Sequence, residues 1–165
     1  MSWFPIPSSY VRNSAWRRVK RWIRQSFPTV PTISTRQLAN WLDRDSLNPP
    51  ALIDAREPEE FAVSHLPNAY RAQSVAEVVQ AGITRDMPVV VYCSIGYRSA
   101  KLVQALNEVG YQATNLEGSI FQWANEGRGL VTSQGSSRNA QATPTQKVHP
   151  YNDFWGLLLE PNHAE

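Results

Sequence analysis

The fold is decided by the stretch Pro88-Val89-Val90-Val91-Tyr92-Cys93-Ser94-Ile95-Gly96-Tyr97-Arg98-Ser99-Ala100. Its first five residues form an apolar, largely β-branched run without polar alternation, which is typical of a strand buried on both faces of a parallel sheet. A helical pattern then covers residues 99–109 and ends before Gly110. Cys93 is therefore predicted to lie between the end of a buried strand and the beginning of a helix.

The segments around this stretch alternate between strand-like and helix-like patterns. Ser34 and Gln37 form a capping box that predicts the beginning of a helix ahead of Leu38. Further along, residues 51–54 and 111–116 are short strand-like runs, and residues 75–81 are helix-like. Alternation of this kind predicts an α/β fold built on an open sheet.

Length and composition indicate a globular protein with one core. The chain has 165 residues, of which 42% are hydrophobic and 18% are charged, and this suits a single domain with extensions. Its one cysteine, Cys93, excludes an intrachain disulfide and a multi-thiolate metal site. We expect no metal and no cofactor. No apolar run approaches the roughly 20 residues that span a bilayer, and no secretory signal is evident, so a cytoplasmic location is predicted.

Basic residues are concentrated near the N-terminus. Residues 1–42 hold seven of the 16 basic residues and none of the 14 acidic ones, which leaves 9 − 14 = −5 for the remainder. A short amphipathic helix is predicted there, after an extended lead, with Trp16, Val19, Ile23 and Phe27 on one face. Packing of that face on the same chain is the favoured interpretation. Weak, salt-sensitive contact with an anionic membrane is the alternative, and nucleic acid is not expected as a partner.

The C-terminal part divides into a polar and an apolar segment. Residues 132–148 lack large apolar groups for most of their length and are interpreted as a flexible linker. Residues 149–165 include Tyr151, Phe154 and Trp155, which are predicted to dock on the domain or on a partner. The predicted organisation is an N-terminal extension at 1–31, a domain at 32–131, the linker at 132–148 and the docking segment at 149–165.

The predicted position of Cys93 favours a reactive thiolate. Ligands of open α/β sheets collect at the carboxyl ends of the strands, and the N-terminus of the next helix offers unpaired N–H groups and a positive dipole end. A thiolate is stabilised in such surroundings, and the thiolate is the nucleophilic form. Gly96 allows a tight turn, so that successive amides can face an anion above the sulfur.

The loop from Cys93 to Ser99 resembles the active-site loop of the rhodanese-like sulfurtransferases, Cys-x-x-Gly-x-Arg-Ser. Two further stretches agree with that family: residues 52–61 (Leu-Ile-Asp-Ala-Arg-Glu-Pro-Glu-Glu-Phe), followed by residues 65–69, and residues 116–123 (Leu-Glu-Gly-Ser-Ile-Phe-Gln-Trp). The resemblance covers about residues 32–131. In the last motif Ser119 stands where the family often has a second glycine, which leaves the local turn open.

The resemblance implies an open, mainly parallel sheet of about five strands with helices on both faces. It also implies that Cys93 takes sulfur from a donor, holds it as a persulfide, and passes it to cyanide, a thiol or a protein acceptor. Asp54 and Arg56 would support the site from the neighbouring strand end, either in contact with it or only as an ion pair. The anion cradle would consist of Ser94, Ile95, Gly96, Tyr97, Arg98 and Ser99.

The loop also bears on the substrate. Arg98 lies five positions after Cys93, whereas related phosphatases place an arginine one position further on in a wider loop, so sulfur chemistry is favoured. Arg98 is the only cation of the loop and is expected to brace it. We therefore expect thiosulfate to be a poorer donor than a low-molecular or protein persulfide. Two alternatives remain open: a non-catalytic binding or regulatory module, and a thiol-dependent reductase of oxyanions such as arsenate.

Overall fold

The computed structural model describes residues 8–43, 47–133 and 142–165. Seven helices and seven strands lie within those residues. The helices are α1 (Ser8–Ser26), α2 (Thr35–Asp43), α3 (Pro58–Val63), α4 (Val75–Gln80), α5 (Tyr97–Glu108), α6 (Ser119–Asn125) and α7 (Asp153–Gly156). The strands are β1 (Thr32–Ile33), β2 (Ala51–Asp54), β3 (Tyr70–Arg71), β4 (Pro88–Tyr92), β5 (Gln112–Leu116), β6 (Leu130–Ser133) and β7 (Ala142–Thr145).

Five of the strands form one parallel sheet in the order β1-β5-β4-β2-β3. The predicted strand from Pro88 to Tyr92 is its central strand, and Val91 pairs with Ile53 of β2 and Asn115 of β5. The prediction of an open parallel sheet of about five strands is confirmed. Because all five strands are parallel, their carboxyl ends meet at one edge, and Cys93 follows β4 at that edge.

The core fills both faces of the sheet. Along β4, Val90 and Tyr92 belong to one buried cluster, while Val89 and Val91 belong to the other. Side chains of α1, α2 and α6 pack into the first cluster, and side chains of α4 and α5 pack into the second. This arrangement explains why β4 has no polar alternation, since neither of its faces contacts water.

Helix α2 begins where the capping box predicts. The Gln37 amide donates to Ser34 Oγ at 3.2 Å, and the Ser34 amide donates to Gln37 Oε1 at 3.0 Å. These two bonds satisfy N–H groups that have no partner within the helix. The helix then packs Leu38, which is fully buried, onto the sheet.

Helix α1 packs on the domain and is longer than the short helix expected. Trp16 and Ile23 are buried in the core, and Val19 and Phe27 are partly buried against it. This is the face that the sequence pattern indicated. The extended lead expected at residues 1–7 lies outside the described residues. Within the part of the chain that the structure describes, none of the helices has the length and apolar character needed to cross a bilayer.

The C-terminal segment lies against the domain. Leu158 and Leu159 are buried, and the Leu158 carbonyl accepts hydrogen bonds from Trp16 Nε1 at 3.2 Å and Asn125 Nδ2 at 2.8 Å. The predicted linker at 132–148 differs from the structure at both ends, since β6 and β7 pair there as an antiparallel hairpin. Its central residues, 134–141, lie outside the described residues. Val131, Thr132, Thr143 and Thr145 are β-branched, and β-branched residues favour paired strands over a solvated tether.

Candidate functional site

Cys93 precedes α5, and its side chain contacts the N-terminal end of that helix. Its side chain is only 1% exposed, and its Sγ accepts a hydrogen bond from the Gly96 amide at 3.1 Å and one from Ser99 Oγ at 3.4 Å. Gly96 has φ 114°, a backbone conformation that favours glycine. Two donors at the N-terminal end of a helix stabilise negative charge on the sulfur.

Ser119 fixes the backbone of Cys93 from the neighbouring strand end. The Cys93 amide donates to Ser119 Oγ at 3.1 Å, and the same hydroxyl donates to the Leu116 carbonyl at 3.0 Å. Ser119 has φ 50°, so the serine adopts the left-handed conformation for which glycine is common at this position. The two hydrogen bonds of the hydroxyl are ones that a glycine at this position could not make, and no local sequence pattern predicts them.

Arg98 is engaged by a buried carboxylate. Its two terminal nitrogens each donate to Glu60 at 2.8 Å, and Ser94 Oγ donates to the same carboxylate at 2.9 Å. Burial alone would raise the pKa of Glu60, but the hydrogen bonds from Arg98, the Glu57 amide and Ser94 hold that pKa below its ordinary value. The charge of Arg98 is thus offset within the protein. This arrangement agrees with a bracing role for Arg98.

Glu60 was not recognised from the sequence as part of the site. It is 2% exposed, which is unusual for a glutamate unless it is paired. The available signal was its place in the Glu57-Pro58-Glu59-Glu60 motif, but sequence spacing does not show which of the three glutamates faces inward. Helix α3 decides this, since Glu60 also caps it by accepting the Glu57 amide at 3.0 Å.

Asp54, the last residue of β2, forms a fully buried ion pair with Arg56, which lies two positions later. Arg56 Nε and Nη2 donate to the carboxylate at 2.9 and 2.7 Å, and Nη2 also donates to the Ser64 carbonyl at 2.6 Å. Burial lowers the pKa of Arg56, but the interaction with Asp54 more than compensates and raises that pKa above its ordinary value. Neither residue lines the cleft above Cys93. The geometry favours the ion-pair interpretation over contact with a substrate.

A cleft of about 130 Å³ opens above Cys93. Residues from the 93–98 stretch line it on one side, and residues of the two extensions line it on the other. The lining residues are Trp22, Cys93, Ser94, Ile95, Tyr97, Arg98, Tyr151 and Trp155. Gly96 and Ser99 donate hydrogen bonds to the sulfur, and the other four residues of the predicted cradle line the cleft with Cys93.

Aromatic rings dominate the walls of this cleft. Trp22 of α1 stacks on Tyr97 of the loop, with centroids 4.8 Å apart and planes 12° apart, and also lies parallel to Trp155 at 6.2 Å. The Arg98 guanidinium lies over the Tyr151 ring at 4.7 Å. Trp22 and Trp155 belong to separate extensions of the chain, and no local sequence pattern predicts that they meet.

The described residues show no group of three or more His, Cys, Asp or Glu side chains placed to hold a metal ion. At the sulfur itself, the Gly96 amide and the Ser99 hydroxyl are the hydrogen-bond donors. The cation that lines the cleft, Arg98, is paired with Glu60.

The chain is similar to known proteins both in sequence and in fold. The family described as rhodanese-like domain matches residues 34–126, which include Cys93, Glu60 and Ser119. In a solved structure of a rhodanese-like domain protein from Staphylococcus aureus, the similarity covers 64% of this chain and all of that chain, at 29% identity and a TM-score of 0.53.

Two relatives with assigned names are similar in sequence. A probable adenylyltransferase/sulfurtransferase, MoeZ, of Mycobacterium tuberculosis is 34% identical over 101 residues, which are 58% of this chain and 25% of that protein. A sulfurtransferase of Allochromatium vinosum is 34% identical over 86 residues, which are 51% of this chain and 80% of that protein. The chain thus spans a quarter of the first relative's length and four fifths of the second's.

Proposed function

The chain belongs to the rhodanese-like domain family, and from this we propose that it is a sulfurtransferase that carries sulfur as a persulfide on Cys93. The observation that supports the proposal is the pair of hydrogen bonds from the Gly96 amide and Ser99 Oγ to Sγ. A buried thiol without a chemical role needs neither bond, because it packs as a small apolar group. The sulfurtransferase names of two relatives agree with this activity.

The proposed reaction has two balanced steps. The Cys93 thiolate attacks the outer sulfur of the donor, a new S–S bond forms, and the donor's own S–S bond breaks with its electron pair leaving on the sulfite or thiolate fragment. The terminal sulfur of the resulting persulfide anion lies where the N–H groups at the beginning of α5 can stabilise it. A nucleophilic acceptor, such as cyanide or a thiolate, then takes the terminal sulfur and restores the Cys93 thiolate.

The charge balance of the cleft favours persulfide donors over thiosulfate. Arg98 is the only cation that lines the cleft among the described residues, and its charge is offset by Glu60 at 2.8 Å. A dianion therefore gains little electrostatic attraction on entering. The preferred donor in this proposal is a low-molecular or protein persulfide.

Glutathione persulfide is expected to load Cys93 with a second-order rate constant roughly tenfold above that of thiosulfate, which corresponds to about 1.4 kcal/mol. Reactions quenched at successive times and read by intact-mass spectrometry give both constants, with Cys93→Ser as the control for sulfur bound elsewhere. An equal or larger constant for thiosulfate would contradict the proposed donor preference.

Further partners are also proposed. A protein can serve as the sulfur acceptor, since the cleft opens to the surface. Weak contact with an anionic membrane is supported by Arg17, Arg18 and Arg21, which α1 leaves exposed while its apolar face is buried. The cytoplasmic location stays a prediction.

A further inference from the structure

Three aromatic rings form a wall at the mouth of the cleft, and they come from three separate parts of the chain. Tyr97 is the first residue of α5, Trp22 belongs to α1 and Trp155 to α7 in the C-terminal segment. Trp22 lies between the other two rings, with centroid distances of 4.8 and 6.2 Å. The wall is anchored, because Trp16 and Ile23 bury α1 in the core and Leu158 is buried beside α7.

This wall leaves apolar surface uncovered next to the reactive sulfur. Trp22 is 43% exposed, and Tyr97 and Trp155 are partly exposed. Large aromatic side chains at a cleft favour a flat apolar partner, since stacked or edge-on rings attract beyond the burial of their area. Trp22, Tyr97 and Trp155 all line the cleft that Cys93 lines.

The charges that line the cleft give a small, highly charged ligand little attraction to compensate for its lost hydration. Glu60 offsets the charge of Arg98, and the Arg98 guanidinium also lies over the Tyr151 ring, 4.7 Å from its centroid. A small inorganic dianion would therefore lose hydration beside the aromatic surface and gain little electrostatic attraction in exchange. An organic donor with one charge on the transferred sulfur loses less.

We propose that Trp22 and Trp155 are specificity-determining residues that select sulfur donors carrying an aromatic or other flat apolar group beside the transferred sulfur. This inference rests on the proposed function, since it concerns the donor from which Cys93 takes sulfur. With an organic thiosulfonate, the Cys93 thiolate attacks the outer sulfur, the bond from that sulfur to the sulfonyl group breaks, and the sulfinate leaves with the electron pair. The organic group of the leaving sulfinate packs on the wall.

The test compares two donors of equal charge, methanethiosulfonate and benzenethiosulfonate. The two donors also differ in the intrinsic reactivity of their leaving groups. Once that difference is removed, we expect the rate constant for loading Cys93 to be roughly tenfold higher for the phenyl compound. An effect of this size is typical of one aromatic contact and the area that it buries. The intrinsic difference in leaving group cancels when the phenyl-to-methyl ratio of the natural protein is divided by the ratio of a variant.

Trp22→Ala and Trp155→Leu are the two variants for this comparison. Each is expected to lower the phenyl-to-methyl ratio by roughly fivefold to tenfold. Trp155→Leu keeps the contact between Trp22 and Tyr97. It therefore still tests the wall if Trp22→Ala displaces the loop that holds Tyr97. Tyr10→Ala is the matched control, because Tyr10 is a 61% exposed aromatic residue of the same helix that does not line the cleft, and it is expected to leave the ratio unchanged.

Ratios that stay within about twofold in both tryptophan variants would overturn the inference, while sulfur on Cys93 from both donors would leave the proposed function standing. A natural protein in which neither thiosulfonate, thiosulfate nor glutathione persulfide places sulfur on Cys93 would overturn the proposed function and the inference with it. The two failures are therefore distinguishable in one assay.

Discussion

Arg56→Met is expected to lower the free energy of unfolding by about 3–5 kcal/mol, because it leaves the fully buried Asp54 carboxylate without its charged partner. The variant also removes the hydrogen bond from Arg56 to the Ser64 carbonyl. Denaturant unfolding followed by tryptophan fluorescence measures this loss, with the six tryptophans as the probe.

Arg128→Met provides the matched control for that prediction. Arg128 pairs with Glu126 at 2.6 Å, but both side chains remain about 30% exposed, and such pairs contribute about 0–1 kcal/mol. The double variant Asp54→Leu with Arg56→Met is expected to recover part of the loss, since it removes the buried charge altogether. A loss of stability in Arg56→Met no larger than in Arg128→Met would contradict the predicted cost of breaking the buried pair.

Glu60→Gln is expected to raise the loading rate constant of thiosulfate, relative to that of methanethiosulfonate, by roughly tenfold. The variant removes one negative charge near the cleft, and the interaction of two unit charges near a protein surface is large enough for such a change in rate. The two donors share the transferred sulfur and differ by one charge, so their ratio reports electrostatics. The same change is expected to cost about 1.5–3 kcal/mol of stability, since a charge-assisted hydrogen bond with Arg98 is lost.

Ionic strength distinguishes the electrostatic effect of Glu60→Gln from a change in loop geometry. An effect of charge shrinks as salt is added, whereas a displaced loop changes both donors at every salt concentration. Glu59→Gln is the control, as Glu59 belongs to the same helix and is exposed. A thiosulfate-to-methanethiosulfonate ratio that does not change in Glu60→Gln would show that Glu60 does not limit the attraction of dianions.

The central strand and the position of Cys93 could be predicted from the sequence because their signals are local. Residues 88–92 are apolar without alternation, and burial on both faces is the physical cause of that pattern. The capping box at Ser34 and the buried face of α1 were correct for the same reason, since each depends on spacing within one helix.

The partners of the site could not be predicted, because they are brought together by tertiary packing. Glu60 reaches Arg98 from 38 positions away, and Ser119 reaches the Cys93 amide from 26 positions away. Trp22 and Trp155 meet only because both extensions dock on the domain. The hairpin of β6 and β7 was missed because short polar strands give weak patterns, and pairing with a neighbour decides their structure.

Intact-mass spectrometry of the protein before and after incubation with glutathione persulfide tests the central claim most directly. The account predicts a gain of one sulfur atom that dithiothreitol or cyanide removes and that Cys93→Ser never acquires. A folded protein whose Cys93 is alkylated freely but gains no sulfur from any donor would contradict the account and favour a binding module or an oxyanion reductase.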